Sequence, residues 1–344
     1  MSKLVTIGVP IYKRLNYLPN VLGIIAAQDY ADIDLLISDN GLNGTLVPEI
    51  VGKHYSKPYR FRQNPATVSG SEHYNQLIDN AIGEYVIILA DDDEISPNFV
   101  SELVGLMEKH PQAAAALGRE ETIGEAGNVI RRSKDSVPET LSALEFIRAN
   151  FGTHQYGFEA FCTFVAKTKE LRECGGFPDV WAATSDEDLL MVKLSLGGLI
   201  ALSTRCTFRK RFYEASGGYA IELKDLAKGI REFVACLDSD ARLRKYAASH
   251  PTEWREVRGV MVHNVWQTYF IRWAGMYKRR MSAPRWLAAA LVMPRDYYRR
   301  VLMEVIGSAM AAGLVPIKRH CPRIYNAYKA AKTKFGGKPY DALQ

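Results

Sequence analysis

The chain has 344 residues, of which 47% are hydrophobic, so it is long enough for one large packed domain or two modest ones. Its five cysteines are scattered and include no Cys-x-x-Cys pair, which argues against a disulfide framework or a zinc site and favours a reducing cytosol. The net charge of +6 arises at the C-terminal end, because residues 276–344 hold 14 Lys/Arg against 3 Asp/Glu and the rest holds 30 against 35. Such a basic tail indicates an anionic partner, either a membrane surface or nucleic acid.

Targeting and membrane segments are not expected. The N-terminus enters a strand pattern at once, without the charged leader and apolar core of a signal peptide. Uncharged apolar runs such as residues 305–316 are shorter than the roughly 18 to 20 residues that a membrane-spanning helix needs.

The first part of the chain alternates predicted strands and helices. Strands are predicted at residues 4–10, 34–39, 59–62 and 85–90, and helices at residues 18–27 and 71–81, with a turn at Asn40-Gly41. Strands that alternate with helices favour a parallel sheet with right-handed crossovers.

The second part predicts a different mixture of elements. The patterns favour helices at about 97–110, 138–150 and 185–196, the last with Ser185 as N-cap, and strands at 113–117, 158–166, 200–203 and 206–212. Turns are expected at 124–128 and 175–178. From about residue 220 the pattern is helical, and we place a domain boundary near 215–222.

The most informative stretch runs from Gly83 to Pro97. Five apolar or aromatic residues, Tyr85 to Leu89, predict a strand buried on both faces, and four acids, Asp91 to Glu94, follow directly. Ligands of open α/β sheets bind beyond the carboxyl ends of strands, and acids this close repel one another unless a cation lies among them. Mg²⁺ or Mn²⁺ suits such oxygen ligands. The alternative is a solvated loop before a helix whose first turn accommodates negative charge.

The order of these features resembles glycosyltransferase family two, the inverting nucleotide-sugar enzymes of GT-A fold. The matching segments are residues 9–14 (Val-Pro-Ile-Tyr-Lys-Arg), 37–41 (Ile-Ser-Asp-Asn-Gly), 83–97 and the pair Glu187-Asp188, within about residues 4–213. The Asp-Asp-Asp-x-x-Ser-Pro form is similar to a subgroup that acts on bacterial surface polysaccharides. The chain departs from the family pattern at Ile11, at Asn40 and at Asn64-Pro65, which makes the identity of the donor the least defined inference.

The resemblance implies an α/β fold, a GT-A nucleotide-binding domain with a mostly parallel mixed sheet flanked by helices, followed by an all-helical C-terminal extension. We expect a catalytic domain at 1–215, with a donor half at about 1–97 and an acceptor half at about 98–215, and a basic helical region at 220–344. The implied reaction is metal-dependent, inverting transfer from a nucleoside-diphosphate sugar to a glycan or polyprenyl-linked acceptor in the synthesis of surface polysaccharide such as lipopolysaccharide.

Two counts of the acidic motif assign the metal differently. In an extended chain Asp91 and Asp93 point to one side and Asp92 to the other. The family pattern, counted back from Pro97, makes Asp92 the principal ligand of Mn²⁺ or Mg²⁺, with Asp91 beside the ribose. We favour Asp92, with Asp91 and Asp93 as further candidates, because we expect the strand to turn there.

The resemblance also implies a set of donor-binding residues. Asp39 resembles the family's contact to the base or ribose, and the alternative is an Asp that begins a turn. Lys13 and Arg14 face the pyrophosphate or else lie in a surface loop. Donor contacts are expected of Pro10, Tyr12, Arg14, Asp39, His73, Asn75 and Asp91, although a satisfied surface histidine is an alternative for His73.

An inverting displacement needs a base beside the attacking hydroxyl. Asp188 is our candidate, with Glu187 and Asp186 as competitors, and the alternative is that these acids favour a helix N-terminus. Residues 209–211 (Arg-Lys-Arg) either close over the diphosphate or lie on a solvated edge strand.

The basic tail, residues 276–344, combines Lys/Arg clusters with aromatic residues, a pattern typical of helices that lie on an anionic membrane. We therefore expect a cytoplasmic protein on the inner face of the plasma membrane and no nucleic-acid partner, with a helical subdomain packed on the core as the alternative.

Two other functions compete with glycosyl transfer. A sugar nucleotidyltransferase would be expected to have a Gly-rich phosphate loop, which residues 8–11 lack. A non-catalytic binding module would leave both acidic clusters unexplained.

Overall fold

The computed structural model describes residues 2–158, 163–180, 185–212 and 223–266. Strands in these residues all join one sheet. They are β1 (Val5–Ile11), β2 (Ile33–Asp39), β3 (Tyr59–Gln63), β4 (Tyr85–Ile88), β5 (Glu94–Ile95), β6 (Ala113–Ile123), β7 (Val129–Arg132), β8 (Thr140–Leu141), β9 (Val165–Lys167) and β10 (Leu199–Arg211).

Helices connect these strands and then continue alone at the end of the described chain. They are α1 (Leu18–Ala26), α2 (Leu46–His54), α3 (Gly70–Asn80), α4 (Phe99–Lys109), α5 (Ala143–Ile147), α6 (Thr168–Glu173), α7 (Asp186–Ser195), α8 (Leu223–Ser239), α9 (Ala241–Ser249) and α10 (Pro251–Asn264). A π-helical turn, Arg148–Gly152, extends α5.

The sheet is mixed, with the order β3-β2-β1-β4-β9-β6-β10-β5; β7 pairs with β6 and β8 pairs with β10. The four strands β3, β2, β1 and β4 are parallel, as are β6 and β10. Strand β9 is antiparallel to both of its neighbours and joins the two parallel groups. The predicted α/β sheet flanked by helices is therefore confirmed.

Strand β1 shows why helices cover both faces of the sheet. All seven of its residues are buried, and the side chains of Val5, Ile7 and Val9 belong to the same core cluster as the buried residues of α1, α2 and α4. Alternation puts Gly8 on the opposite face, where a Cβ atom would lie 3.2 Å from Leu77 of α3. The missing side chain lets α3 pack directly on the strand.

Several predicted elements differ from the observed ones. Residues 46–54 form a helix that the sequence analysis missed, and β6 continues six residues past the predicted end at residue 117. The two strands predicted at 200–203 and 206–212 are one strand, β10, with a shift of register beside β6 between Leu202 and Thr207. The helix predicted at 138–150 begins only after β8, and within the strand predicted at 158–166 the described residues are extended only from Val165.

The three C-terminal helices that the structure describes agree with the predicted helical extension. Helix α10 lies against α5 and its π-helical turn, where Arg148 and Glu256 form a two-pronged ion pair with Nη2 and Oε2 2.7 Å apart. Residues 2–265, as far as described, form one compact unit, whereas the predicted boundary at 215–222 and the basic tail at 276–344 lie outside the described residues. None of the described helices combines the length and the hydropathy of a membrane-spanning segment.

Candidate active site

The carboxylates after β4 lie in a turn rather than in an extended strand. Strand β4 ends at Ile88, and the backbone N–H of Asp93 donates to the carbonyl of Ala90 at 3.3 Å. The strict alternation that would put Asp91 and Asp93 on one side therefore does not apply. Asp91 and Asp93 are buried, with 7% and 4% exposure, and Asp92 is half-buried. We call Asp91–Asp93 the acidic turn.

Arg14 supplies a positive charge to this turn. Its Nη2 lies 2.9 Å from Asp92 Oδ2 and 3.2 Å from Asp91 Oδ1. Strand β1 directs the arginine there, because β1 is the parallel neighbour of β4 and both chains leave the sheet at the same edge. The structure thus brings together Arg14, Asp91 and Asp92, three of the residues predicted for the donor and the metal.

Arg211, at the end of β10, holds the acidic turn in place. Its backbone N–H donates to Asp93 Oδ1 at 2.8 Å and its Nε–H to the carbonyl of Asp92 at 2.9 Å. The remaining guanidinium donors bind the carbonyls of residues 124 and 125 and the carboxylate of Glu94, and the guanidinium carbon lies 4.9 Å from the centre of the Tyr17 ring. Arg211 is buried and fully engaged, so it fits neither a cover for the diphosphate nor a solvated edge strand.

The other two basic residues of this segment lie differently. Arg209 donates through Nε to Glu121 Oε2 at 2.9 Å on the neighbouring strand β6. The charge of Lys210 lowers the pKa values of Asp92 and Asp93, which places the ammonium group near the acidic turn. Lys210 thus adds positive charge close to the acidic turn.

The acidic turn resists full ionisation. Burial, and then the charge of Asp92, raises the pKa of Asp91 to about 6 in spite of Arg14. The same two causes raise the pKa of Asp93 well above its usual value, and burial raises that of Asp92. The turn thus favours either a proton or an additional cation.

A second group of acids, Asp186–Asp188 at the start of α7, lies near the first. The charge of Glu187 contributes to the raised pKa of Asp93, so the two groups lie within electrostatic range of each other although they are far apart in sequence. Asp186 and Asp188 are buried and Glu187 is half-buried. Burial, and then the charge of Glu187, raises the pKa of Asp186 to about 7, although a hydrogen bond from Ser71 opposes the shift.

The donor set of the acidic turn suits a hard divalent cation. Asp91, Asp92 and Asp93 offer only carboxylate oxygens, which Mg²⁺ and Mn²⁺ prefer, and their raised pKa values reflect carboxylates short of positive charge. Within the described parts of the chain, no three Asp, Glu, His or Cys side chains already stand in a metal-binding arrangement. Cation binding would therefore require these side chains to rotate and the Arg14 guanidinium to move away from Asp91 and Asp92.

Asp39 lies at the carboxyl end of β2, where the resemblance predicts a contact to the base or ribose. Its Oδ1 accepts from the backbone N–H of Gly41 and from Asn43 Nδ2, both at 2.8 Å, and its Oδ2 accepts from Asn43 N–H at 2.7 Å and Gln63 Nε2 at 2.9 Å. These four bonds use the full acceptor capacity of a carboxylate. Asp39 thus has the hydrogen bonds of an Asp that begins a turn, and its donor-binding role stays a prediction, because a nucleotide N–H would have to displace one of these donors.

The loop after β1 meets the loop after β2. Pro10 is buried opposite Ser38, whereas the Tyr12 ring is 48% exposed with the Lys13 ammonium 5.2 Å from its centre. A Cβ atom on Gly41 would lie 1.6 Å from the carbonyl oxygen of Tyr12, so only glycine permits this contact. Tyr12 thus presents an accessible aromatic face at the edge where the acidic turn lies.

His73 and Asn75 have partners within the protein. His73 is buried, its Nε2 lies 2.9 Å from Ser38 Oγ, and burial followed by the charge of Arg62 lowers its pKa to about 4. Asn75 donates to the carbonyl of Phe177 and accepts from its N–H, both at 2.8 Å. The described structure does not bring either side chain to the acidic turn, and their donor-binding roles stay predictions.

Two contributors were missed by sequence reasoning. Asn40 donates to the carbonyl of Val68 and accepts from Val68 N–H and Asn64 Nδ2, which only an amide can do, so the departure from the family's Asp at this position has a structural reason. Ser71 donates to Asp186 at 2.9 Å across 115 residues of sequence. No local pattern signals that second contact.

The chain is similar to known proteins along part of its length. An uncharacterized glycosyltransferase of Rickettsia conorii is 26% identical over 219 residues, which are 63% of this chain and 35% of that protein. One from Rickettsia felis is 25% identical over 219 residues, 63% of this chain and 36% of that protein. The chain therefore spans about a third of the length of the curated relatives it matches.

Solved structures share the fold at low sequence identity. S. aureus TarS 1–349 in complex with UDP-GlcNAc has a TM-score of 0.66 and 14% identity, covering 90% of this chain and 92% of that one. The mannosyltransferase PcManGT from Pyrobaculum calidifontis in complex with GDP-Man and Mn²⁺ has a TM-score of 0.56 and 14% identity, covering 98% and 89%. The family model of glycosyl transferase family 2 matches residues 6–175, so the chain contains a domain of that family.

Proposed function

We propose that this chain is a metal-dependent, inverting glycosyltransferase that moves a sugar from a nucleoside-diphosphate donor to a glycan or lipid-linked acceptor in bacterial surface polysaccharide synthesis. The observation that carries the proposal is the gathering of three carboxylates, Asp91–Asp93, in the turn after β4, where Arg14 lies 2.9 Å from Asp92 and the charge of Glu187 acts on Asp93. Structural acids are normally dispersed or paired with cations, and acids gathered with raised pKa values at a sheet edge are typical of functional sites.

The acidic turn is the proposed place of the divalent cation. Asp92, which is half-buried and lies within the turn, is the proposed principal ligand, with Asp91 and Asp93 beside it. A bound divalent ion would offset the negative charge that grows on the leaving diphosphate.

Arg14 is the proposed contact to the donor phosphates once the cation is bound. Its side chain is 40% exposed, and its guanidinium contacts Asp91 and Asp92, the same carboxylates that would hold the cation. Because like charges repel, a divalent ion on these oxygens would release Arg14 towards the phosphates of the donor. Tyr12 and Lys210 lie at the same edge and would contact the donor beside it.

Proton transfer is assigned to the start of α7. The acceptor oxygen attacks the anomeric carbon, the bond from that carbon to the diphosphate oxygen breaks, and the hydroxyl proton passes to a carboxylate. Asp188 is our first candidate for this base and Glu187 the second. Glu187 has the greater exposure of the two, so a comparison of Asp188→Asn with Glu187→Gln decides between them: the base variant keeps donor binding and loses transfer.

The test begins with a thermal-shift plate of UDP, GDP, CDP and dTDP, each with and without Mn²⁺. A transferase should be stabilised by one or more nucleoside diphosphates only when Mn²⁺ is present, and a donor screen for diphosphate release should then identify the sugar. A non-catalytic module should respond to none of the eight conditions. Asp92→Ala should remove the Mn²⁺-dependent shift while the matched surface variant Asp179→Ala keeps it. Full Mn²⁺-dependent turnover in Asp92→Ala would overturn the metal assignment.

The cellular setting is a separate part of the proposal. A lipid-linked acceptor requires a site at the cytoplasmic face of the plasma membrane, and the basic composition of residues 276–344 supplies the charge to bind anionic lipid there. Flotation with liposomes of anionic and of neutral lipid, using the full chain and a chain ending at residue 275, tests it. Equal flotation of both chains would refute the tail's role.

A further inference from the structure

Two buried side chains join α3 to α7. Ser71 in the first turn of α3 donates its hydroxyl to Asp186 Oδ2 at 2.9 Å, and the residues are 2% and 4% exposed. The other oxygen of Asp186 accepts the backbone N–H of Glu187 at 3.0 Å. One carboxylate thus connects a helix at the donor half of the sheet with the backbone of a candidate catalytic residue.

Helix α3 also holds the segment that leads into α7. Asn75 binds both the N–H and the carbonyl of Phe177 at 2.8 Å, and the rings of Tyr74 and Phe177 meet edge to face with centres 5.1 Å apart. These contacts fix the chain nine residues before Asp186. The segment before α7 is therefore attached to one helix, α3, at both ends.

The start of α7 is held in an unfavourable backbone conformation. Ser185 has φ 58° and ψ 25°, which lies in the left-handed region that residues other than glycine and asparagine seldom adopt. The predicted N-cap bond is absent: among the described residues, the buried Ser185 hydroxyl has no hydrogen-bond partner. Because the serine does not cap α7, the helix start depends on Asp186 and its partner. Backbone strain of this kind persists only where surrounding contacts impose it.

We infer that Asp186 and Ser71 form a positioning clamp, in which Ser71 fixes Asp186 and Asp186 fixes the backbone of Glu187 and Asp188 opposite the acidic turn. This inference rests on the proposed transfer function, since it assigns a role in the same site. Asp186 is not a catalytic residue here, because both of its oxygens already have hydrogen-bond partners in the protein. The clamp orients the base, whereas the donor binds at the acidic turn and does not contact the clamp.

Four variants test the clamp in the full chain. Ser71→Ala and Asp186→Ala should each lower kcat about tenfold with the donor KM within twofold, and the double variant should be no worse than either single one, because both remove one shared contact. Asp186→Asn can still accept from Glu187 N–H and donate to Ser71, so it should retain kcat within about threefold. Ser195→Ala, which removes another buried hydroxyl at the far end of α7, is the matched control and should leave kcat unchanged.

Hydrogen exchange supplies a readout that needs no activity. Ser71→Ala and Asp186→Ala should raise the exchange rate of the amides at 187–189 about tenfold and leave those of α4 unchanged, whereas Ser195→Ala should leave both unchanged. Unaltered exchange and kcat in Ser71→Ala would overturn the clamp. Equal loss of kcat in Asp186→Asn and Asp186→Ala would also overturn it, because the carboxylate would then act directly. Absence of transfer by the unmodified chain with every donor would refute the proposed function. The hydrogen-exchange measurement would still test the clamp in that case.

Discussion

Replacement of Asp186 by Asn should flatten the pH dependence of stability. Burial and the charge of Glu187 raise the pKa of the Asp186 carboxyl from 3.8 to about 7 in the folded chain. Between these two values the folded protein holds a proton that the unfolded chain has lost, so stability falls as pH rises through this window and is constant above it. From pH 5 to pH 8 the linkage relation gives a loss of about 2.6 kcal/mol for this one group.

The assay is equilibrium urea unfolding at pH 5 and pH 8, followed by far-ultraviolet circular dichroism. Asparagine does not titrate, so the variant should gain about 2.6 kcal/mol relative to the unmodified chain between the two pH values. Other buried acids titrate in both proteins and cancel in this difference. Asp179→Asn on the surface is the control and should follow the unmodified chain. Parallel profiles for Asp186→Asn and the unmodified chain would refute a raised pKa at Asp186.

Two further predictions use the same unfolding measurement, and a third uses calorimetry. Gly41→Ala should lower the free energy of unfolding by about 2 kcal/mol or more, since its Cβ would lie 1.6 Å from the Tyr12 carbonyl oxygen; an unchanged urea midpoint would contradict the contact. Asn75→Ala should cost about 2 kcal/mol in the same measurement, because it removes two hydrogen bonds to Phe177; a loss below about 0.5 kcal/mol would argue against them. Mn²⁺ binding, measured by calorimetry, should be about tenfold weaker at pH 5 than at pH 7, because Asp91 with its pKa of about 6 must lose a proton to bind; equal affinities would exclude it as a ligand.

The parallel half of the sheet could be predicted from sequence because its strands are continuous apolar runs. Strand β1 is entirely buried and β4 reads as four apolar or aromatic residues, which is the pattern of strands covered on both faces. Strand β6 could not be predicted to full length, since it continues through Arg119, Glu120 and Glu121. Neighbouring strands supply the partners of those acids, Arg131 and Arg132 from β7 and Arg209 from β10, and these pairings are not visible in the local pattern.

The two acidic groups could also be located in the sequence, but their contacts could not be predicted from it. Both acidic groups, Asp91–Asp93 and the acids of α7, are visible in the sequence, and the charge of Glu187 acts on Asp93 in the fold. The bonds that distinguish their members join residues far apart, such as Arg211 to Asp93 across 118 positions. Asp39 and Asn75 show the converse: each has the chemistry to bind a donor, and each forms its observed hydrogen bonds within the protein.

The contrast between Glu121 and the acidic turn separates structural from functional acids. Burial alone would raise the pKa of Glu121, but hydrogen bonds from Arg209 and Arg132 hold it below its usual value, so the ionised form is stabilised by the fold. Asp91 has Arg14 beside it and still titrates at about 6, and the pKa of Asp93 is higher than usual although Arg211 donates to it. A fold selected only for stability would give such carboxyls further cations or replace them. Carboxyls with raised pKa values are expected in a binding site where the ligand supplies the positive charge that the protein lacks. This is the physical basis for assigning the divalent cation to the acidic turn.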